Sequence, residues 1–325
     1  MKKLIAMMMV LAMALGLVAC GNTTAGNDKT DTLKIGIIQY MSHPSLDNCY
    51  NGVVAALEES GLQYTVQRQI GSSNAADADC VTFAKNMVAE NYDMIIAIAT
   101  PAAKAAFAAT DDTDIPVIFC AVSDPVAAGL VEDMSAPGYN CTGTSDVLDL
   151  AAQVKMIQAF QPDVQKIGIL YTSSEENSLT NLANFKAVCQ PLNIEVVSVS
   201  VQNASDIPAA AEELTSKVDC VNNFTDNNVV NNLSVLLNAA EKYGIPVYGS
   251  EEEQVKNGCM ASVSIDYVSL GKVTGQMAID VLKGADAATM AVKTITDASL
   301  VYNPDVVAAL QLTLPDSYTD AATVK

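Results

Sequence analysis

The chain writes nearly the same phrase twice, LKIGIIQY from Leu33 to Tyr40 and QKIGILYT from Gln165 to Thr172, with Lys34 and Lys166 132 positions apart. Two further matches follow in the same order. YDMIIAIAT from Tyr92 pairs with KVDCVNNFT from Lys217, with Asp93 and Asp219 126 positions apart. DIPVIFCAVSDPV from Asp114 pairs with GIPVYGSEEEQV from Gly244, 130 positions on. Buried parallel strands all favour Ile and Val, so one match could be chance. Three in order imply two similar lobes.

Between the matches, short apolar runs alternate with Ala-rich periodic segments, the pattern of a parallel α/β fold. In the first half, strands are expected at KIGIIQY, TVQRQI, DMIIAIA and IPVIFCAV. Helices fall near Leu46 to Ser60 with a Gly61 stop, over ADCVTFAKNMVAEN, and from Thr100-Pro101. The second half repeats the order with strands KIGILYT, IEVVSVSV, VDCVNNF and IPVYGS. Its helices are expected near Ser178 to Gln190, over Ile207 to Thr215, and from Asp226. Each lobe is then an open doubly wound parallel sheet, which places ligands beyond the carboxyl ends of its strands. Two such lobes across a cleft make a hinged clamp.

The amino end reads as an export signal. Lys2 and Lys3 precede an apolar run from Leu4 to Val18, fifteen residues long, short of the roughly 20 that a spanning helix needs. The run closes on Leu17-Val18-Ala19-Cys20, which resembles a bacterial lipobox and makes Cys20 the lipidated residue after a signal peptide of residues 1–19. Residues 20–31 are polar and unpatterned, a flexible tether. About 290 residues remain from Thr32, enough for two domains, and no later stretch is long and apolar enough to span a membrane.

The net charge is −20, and about −22 without Lys2 and Lys3. Such a surface repels phosphate backbones, which argues against a nucleic-acid partner. Beyond Cys20 the cysteines are Cys49, Cys80, Cys120, Cys141, Cys189, Cys220 and Cys259. Their odd number and apolar settings read as small buried hydrophobes with no assignable disulfide. With a single histidine, His43, the chain lacks the three or four ligands of a metal site.

The phrases IGIIQYMSHPSLDNCYNG, IATPAAKAA, IPVIFCAVSDPVAAGLV, GYNCTGTSD, KIGILYTSSEENS and IPVYGSEEEQVKNGCMASVSIDYVSLGKVTGQMAIDVLKG resemble a family of exported ABC-transporter substrate-binding lipoproteins of the tryptophan/tyrosine type, with the type I periplasmic-binding-protein fold. The resemblance covers nearly the whole chain after the tether. It implies two lobes joined by a three-crossover hinge, with residues 32–146 plus 265–298 in lobe one and 147–264 plus 299–325 in lobe two. It also implies a monomer, lipid-anchored at the outer face of the bacterial cytoplasmic membrane, that delivers a small molecule to a membrane permease without any cofactor.

The tips after each strand are where a cleft would carry its chemistry. Thr100-Pro101 suits a helix cap with Pro at the first helical position, and equally offers a hydroxyl and free N–H groups to a carboxylate. Ser123 and Asp124 follow the fourth strand. Ser173, Ser174 and Asn177 follow the first strand of lobe two; Ser173 and Glu176 fit a capping box, leaving Ser174 and Asn177 for a ligand. An ammonium group calls for an ionised carboxylate held partly out of water. Asp226, with Asn227 beside it, is the first candidate, Glu251 the second despite a possible Ser250–Glu253 capping box, and Asp124 and Asp266 follow. Tyr40 and Tyr171 close equivalent strands, so an aromatic ligand could pack between their rings. Gln39 and His43 could each donate to it. Phe119, Phe224 and Tyr248 read as core.

An enzyme is the poorest fit. Neither opening strand is followed by G-x-G-x-x-G, a hydrolase triad would have to use His43 with no G-x-S-x-G elbow, and no pair is placed for acid–base work. The reading that remains is a solute-binding lipoprotein of an ABC importer that closes on a zwitterion, an aromatic amino acid by the family resemblance. The residues leave open a sensor or chemoreceptor output, and a sugar or nucleoside ligand.

Overall fold

The computed structural model describes residues 32–295 and 298–324; the signal sequence, Cys20 and the tether lie outside the described residues. The chain runs β1 (Leu33–Gln39), α1 (Pro44–Glu59), β2 (Tyr64–Ile70), α2 (Ala76–Ala89), β3 (Met94–Ile98), α3 (Thr100–Thr110), β4 (Val117–Cys120) and β5 (Cys141–Ser145). Then come α4 (Leu150–Phe160), β6 (Lys166–Thr172), α5 (Glu176–Cys189), β7 (Glu195–Val201), α6 (Ile207–Thr215), β8 (Cys220–Asn222), α7 (Asn227–Asn231), α8 (Leu233–Tyr243), β9 (Val247–Tyr248), α9 (Glu252–Lys256) and β10 (Ala261–Ser264). It finishes with α10 (Tyr267–Leu282), β11 (Lys293–Thr294), β12 (Ser299–Tyr302), α11 (Pro304–Ala309) and β13 (Ala322–Thr323).

Two parallel sheets organise these elements. A six-stranded sheet has the order β11-β5-β4-β3-β1-β2, and a four-stranded sheet the order β7-β6-β8-β9. A small sheet, β10-β12-β13, adds an antiparallel pair beside the second. The apolar core follows the same division. Residues from Ile35 to Cys141 share one cluster with Ile265 to Ile279, whereas the clusters of the second body draw on the intervening chain and the tail from Val301. The fold is thus α/β with two doubly wound lobes, and the chain passes between them after β5, after β10 and after β11.

The repeated phrase has a physical explanation. Both copies place a glycine where a helix packs onto an interior strand: a Cβ on Gly36 would meet Met87 Sδ at 2.3 Å, and one on Gly168 would meet Leu214 Cγ at 3.1 Å. Both copies also begin under a carboxylate clamp. The Lys34 and Lys166 amides donate to Asp93 and Asp219, each at 2.7 Å. Central strands β1 and β3 are buried along nearly their whole length, while edge strand β2 alternates partly buried with exposed residues, as expected of a sheet covered on both faces at its middle.

Phe119, Phe224 and Tyr248 are fully buried core residues, and all seven cysteines are buried and unpaired. Gly61, at φ 73°, stands just past α1 in the left-handed region that glycine tolerates. The helix expected from Asp226 is broken into α7 and α8 at Asn232. The sequence pattern marks no element at α4 or β5, and beyond Ser250 only the helix start implied by a Ser250–Glu253 capping box. Among the described residues no helix is long and apolar enough to cross a membrane.

Candidate ligand-binding cleft

The carboxyl ends of both central sheets point into one cavity between the lobes. Its first wall is His43, Ser45 and Leu46 at the start of α1, Ala99 and Thr100 after β3, and Ala121 and Ser123 after β4. The facing wall is Asn177, Thr225, Asn227, Val230, Glu251 and Gln254, with Asp146 and Tyr267 at two of the chain passages. About 360 Å³ here is not filled by atoms, of which only about 20 Å³ would take the centre of a water molecule. The cleft is therefore closed down nearly to the size of a water or two, and a larger ligand requires the walls to yield.

Among the described residues, three hydrogen bonds or ion pairs bridge the lobes: His43 Nε2 to Asn227 Oδ1 at 3.2 Å, Asn48 Nδ2 to Glu253 Oε1 at 3.2 Å, and a rim ion pair between Lys104 and Glu176. The loop that carries His43 and Ser45 is held from behind by Arg68, the single arginine of the chain. Its guanidinium donates to Gln39 Oε1 at 2.6 Å, pairs with Asp47 in the first turn of α1, and lies 3.9 Å from the Tyr50 ring centroid. Gln39 Nε2 in turn donates to Met41 O at 2.7 Å. This cluster ties the end of β1 to the start of α1.

Strain marks the same wall. Ala99 has φ 81° and ψ 154°, and Ala121 has φ 57°. The first lies in a region that only glycine occupies readily, and such residues persist where surrounding structure over-determines them, commonly at ligand sites.

The electrostatics are those of an acid-lined cavity with no Lys or Arg among its lining residues. Glu251 is buried and accepts from Glu253 N at 2.7 Å and Gln254 N at 3.0 Å. Burial raises its carboxyl to about 7, with those amides opposing the shift. Asp146 accepts from Ser123 Oγ at 3.0 Å and Tyr267 Oη at 2.8 Å, and burial outweighs these bonds to raise it too. Behind Asn227, the wholly buried Glu175 is raised to about 8 by desolvation first and by the neighbouring Asp226 second. Four lining residues carry a buried polar atom without a partner among the described residues: His43 Nδ1, Ser45 Oγ, Asn177 Oδ1 and Thr225 Oγ1. Ser45 lies close enough to help steady the Glu251 charge but makes no well-formed hydrogen bond.

Of the expected site residues, His43, Thr100, Ser123, Asn177, Asn227 and Glu251 line the cavity. Tyr40 and Ser174 face a second, more open recess between the lobes, with Thr172 and Asn228. The structure places the others outside the lining of both. Asp226 is a buried cap whose oxygens already accept from Thr172 N, Thr172 Oγ1, Ser178 Oγ and Val229 N at 2.6–3.0 Å. Gln39 is spent on the Arg68 cluster. Tyr171 packs onto the core of its own lobe, so Tyr40 and Tyr171 do not form a ring clamp. Ser173 Oγ donates to Val201 O, Asp124 caps Ala127 N, and Asp266 caps α10 through Val268 N and Ser269 N. Pro101 falls within the first turn of α3 behind Thr100, which is itself helical, the N-cap position belonging to strained Ala99.

Both predicted capping boxes also fail. The N-caps of α5 and α9 are Glu175 and Glu251, not Ser173 and Ser250. Ser250 Oγ donates to Asn223 O instead. Sequence reading missed Ser45, Asp146, Thr225, Gln254 and Tyr267. Asp146 and Tyr267 meet only because two chain passages run side by side, and no local pattern signals that.

Two open α/β lobes over a closed, polar, acid-lined cavity define a ligand-binding clamp. The chain belongs to the family described as ABC transporter substrate binding protein, whose model matches residues 34–325. It is 36% identical over 296 residues to a tyrosine-binding protein of Clostridioides difficile, covering 90% of this chain and 85% of that one. A solved structure from Streptococcus pneumonia, an ABC domain in complex with L-Trp, is 36% identical with a TM-score of 0.86, covering 90% of this chain and all of the other. A ligand-free, open substrate-binding protein with adhesive properties from Clostridium difficile is 33% identical, covering 90% of this chain and 99% of the other, at a TM-score of only 0.68. At similar identity, this chain as a whole superposes better on the ligand-bound relative than on the open one.

Proposed function

We propose that this protein captures a free amino acid, L-tyrosine or L-tryptophan in the first instance, by closing its two lobes around it. The observation that carries the reading is the set of four orphaned polar atoms, two from each wall. Buried polar groups are almost always paired, so atoms left over on opposite faces of one cavity call for a polar guest that only closure can satisfy. Glu251 and Asp146 suit its ammonium group. The amino ends of α3 and α5, at Thr100 and Asn177, suit its carboxylate without a cationic side chain.

The lobes that move are residues 32–146 with 265–298 and residues 147–264 with 299–325. The signal, the lipobox ending at Cys20 and the polar tether fit a monomer exported and anchored by lipid, presenting its cargo to the membrane permease of an ABC importer. Binding without turnover is the role.

Isothermal titration with L-tyrosine, L-tryptophan, a nucleoside and a hexose tests the ligand class. Saturable binding of one of the amino acids is expected. Binding confined to the sugar or nucleoside would keep the clamp and overturn the ammonium assignment.

A further inference from the structure

We propose that His43 Nδ1 accepts a hydrogen bond from the ammonium group of the ligand, and that Glu175 sets the imidazole for this task through Asn227. The assignment rests on the amino-acid reading above and names a contact within it. It begins from a carboxylate that touches no ligand. Glu175 Oε2 accepts from Asn227 N at 3.0 Å, Asn227 Nδ2 at 2.6 Å and Asn177 Nδ2 at 3.2 Å, while Oε1 accepts from Asn228 N at 3.0 Å.

Reversal of the Asn227 amide would turn its Oδ1 onto Oε2, which already accepts from two other N–H groups, whereas a proton on Glu175 is accommodated on Oε1, which accepts from one. Oδ1 therefore points at His43 Nε2, 3.2 Å away across the cleft. Two acceptors cannot bond each other, so Nε2 carries the hydrogen. Burial disfavours the imidazolium and lowers the proton affinity of the ring, which leaves Nδ1 as a bare lone pair.

That lone pair is buried and unpartnered. The ionisable groups arranged around the ring are acids: Asp47 on its own helix, Glu175 behind Asn227, and Asp146 and Glu251 on the cavity lining. None of them, protonated or ionised, lies within hydrogen-bond distance of Nδ1, and the lining offers no Lys or Arg. A donor must arrive with the guest, and an ammonium group has three. The arrangement also reverses the role expected of His43 from sequence, which was to donate. Here it donates to the opposite lobe and accepts from the ligand, so one ring reports both closure and occupancy.

Because His43 is the single histidine, its two ring nitrogens can be read without assignment in protein labelled with 15N-histidine. In the complex with L-tyrosine, Nε2 is expected to show the shift of a protonated nitrogen and Nδ1 that of an unprotonated nitrogen accepting a hydrogen bond. Protonation at Nδ1 would overturn the proposal. Two variants separate contact from packing. His43→Asn keeps a polar atom at the Nδ1 position and His43→Gln keeps one at Nε2. His43→Asn should retain more affinity, with His43→Gln weaker by roughly tenfold, the scale of one hydrogen bond; equal losses would overturn the contact.

Glu175→Gln frees the Asn227 amide to reverse and should mix the two tautomers. An unchanged tautomer would remove Glu175 from the account. If the wild-type chain binds neither L-tyrosine nor L-tryptophan, the functional reading falls and takes this contact with it. Binding with the wrong tautomer removes the contact alone.

Discussion

Glu251 couples the cleft to the stability of the whole chain through one proton. Its carboxyl is raised from the ordinary 4.5 to about 7 in the fold. A group held at a higher pKa in the folded state binds its proton more tightly there. The stability it contributes is therefore complete below about 4.5 and is lost as pH climbs through about 7. At 1.36 kcal/mol per pH unit, that interval amounts to roughly 3 kcal/mol. Because pH 5 already lies above 4.5, at the ~2 °C per kcal/mol suited to a large domain the ligand-free protein should lose about 5 °C in Tm between pH 5 and pH 8 from this group.

Glu251→Gln cannot ionise, so it should remove this part of the fall. It keeps one acceptor oxygen for the amides of Glu253 and Gln254, at the cost of about 1 kcal/mol for the other bond. Asp146 and Glu175 are raised in the same direction and are common to both proteins, so the difference between the two melting curves isolates residue 251. Differential scanning fluorimetry from pH 5 to pH 8 without ligand measures it. Parallel pH profiles for wild type and Glu251→Gln would refute the burial argument. The same proton predicts that affinity for an ammonium ligand rises with pH up to about 7, because the ligand requires the ionised carboxylate.

Ala99→Gly should raise Tm by about 2 °C, since backbone strain of about 1–3 kcal/mol exceeds the entropy that glycine adds to the unfolded chain; a lower Tm would mean the conformation is not strained. Asp226→Asn should destabilise the fold by about 2–4 kcal/mol by disrupting a four-donor buried cap, seen in urea unfolding, and ligand affinity of the folded fraction should change little. Arg68→Met should leave a cooperative fold but weaken ligand binding about tenfold, because the loop bearing His43 and Ser45 loses its brace; unchanged affinity in a calorimetric titration would show that the loop holds itself. Lys104→Ala should weaken binding by no more than about fivefold, with a diminished salt dependence, since exposed ion pairs are worth about 0–1 kcal/mol.

The lobes were legible because their evidence is periodic. Buried strands flanked by helices, and the glycine of each KIGI copy, recur at a nearly constant offset. What was not legible depends on tertiary placement. β5, CTGTS, is wholly buried yet polar, so no alternation or apolar run announces it. Ser and Thr are the favoured N-caps of isolated helices, and that preference led to Thr100, Ser173 and Ser250. In the fold, α3 begins one residue earlier on a strained alanine, while Glu175 and Glu251 stand at the caps of α5 and α9. The charge of Asp226 is visible in the sequence, but the four donors folded around it are not. Asp146 and Tyr267 lie 121 positions apart and are joined only by the double passage of the chain between lobes.

The central claim is that the guest sits between the wall of His43 and Ser45 and the wall of Asn177 and Thr225. A crystal structure of the chain grown with L-tyrosine or L-tryptophan tests it most directly. The amino acid is expected in that cavity, its ammonium group within hydrogen-bond distance of His43 Nδ1 and a carboxylate of Glu251 or Asp146, with both lobes closed on it. A ligand seated in the recess beside Tyr40, or lobes that stay apart with those four polar atoms facing solvent, would contradict it.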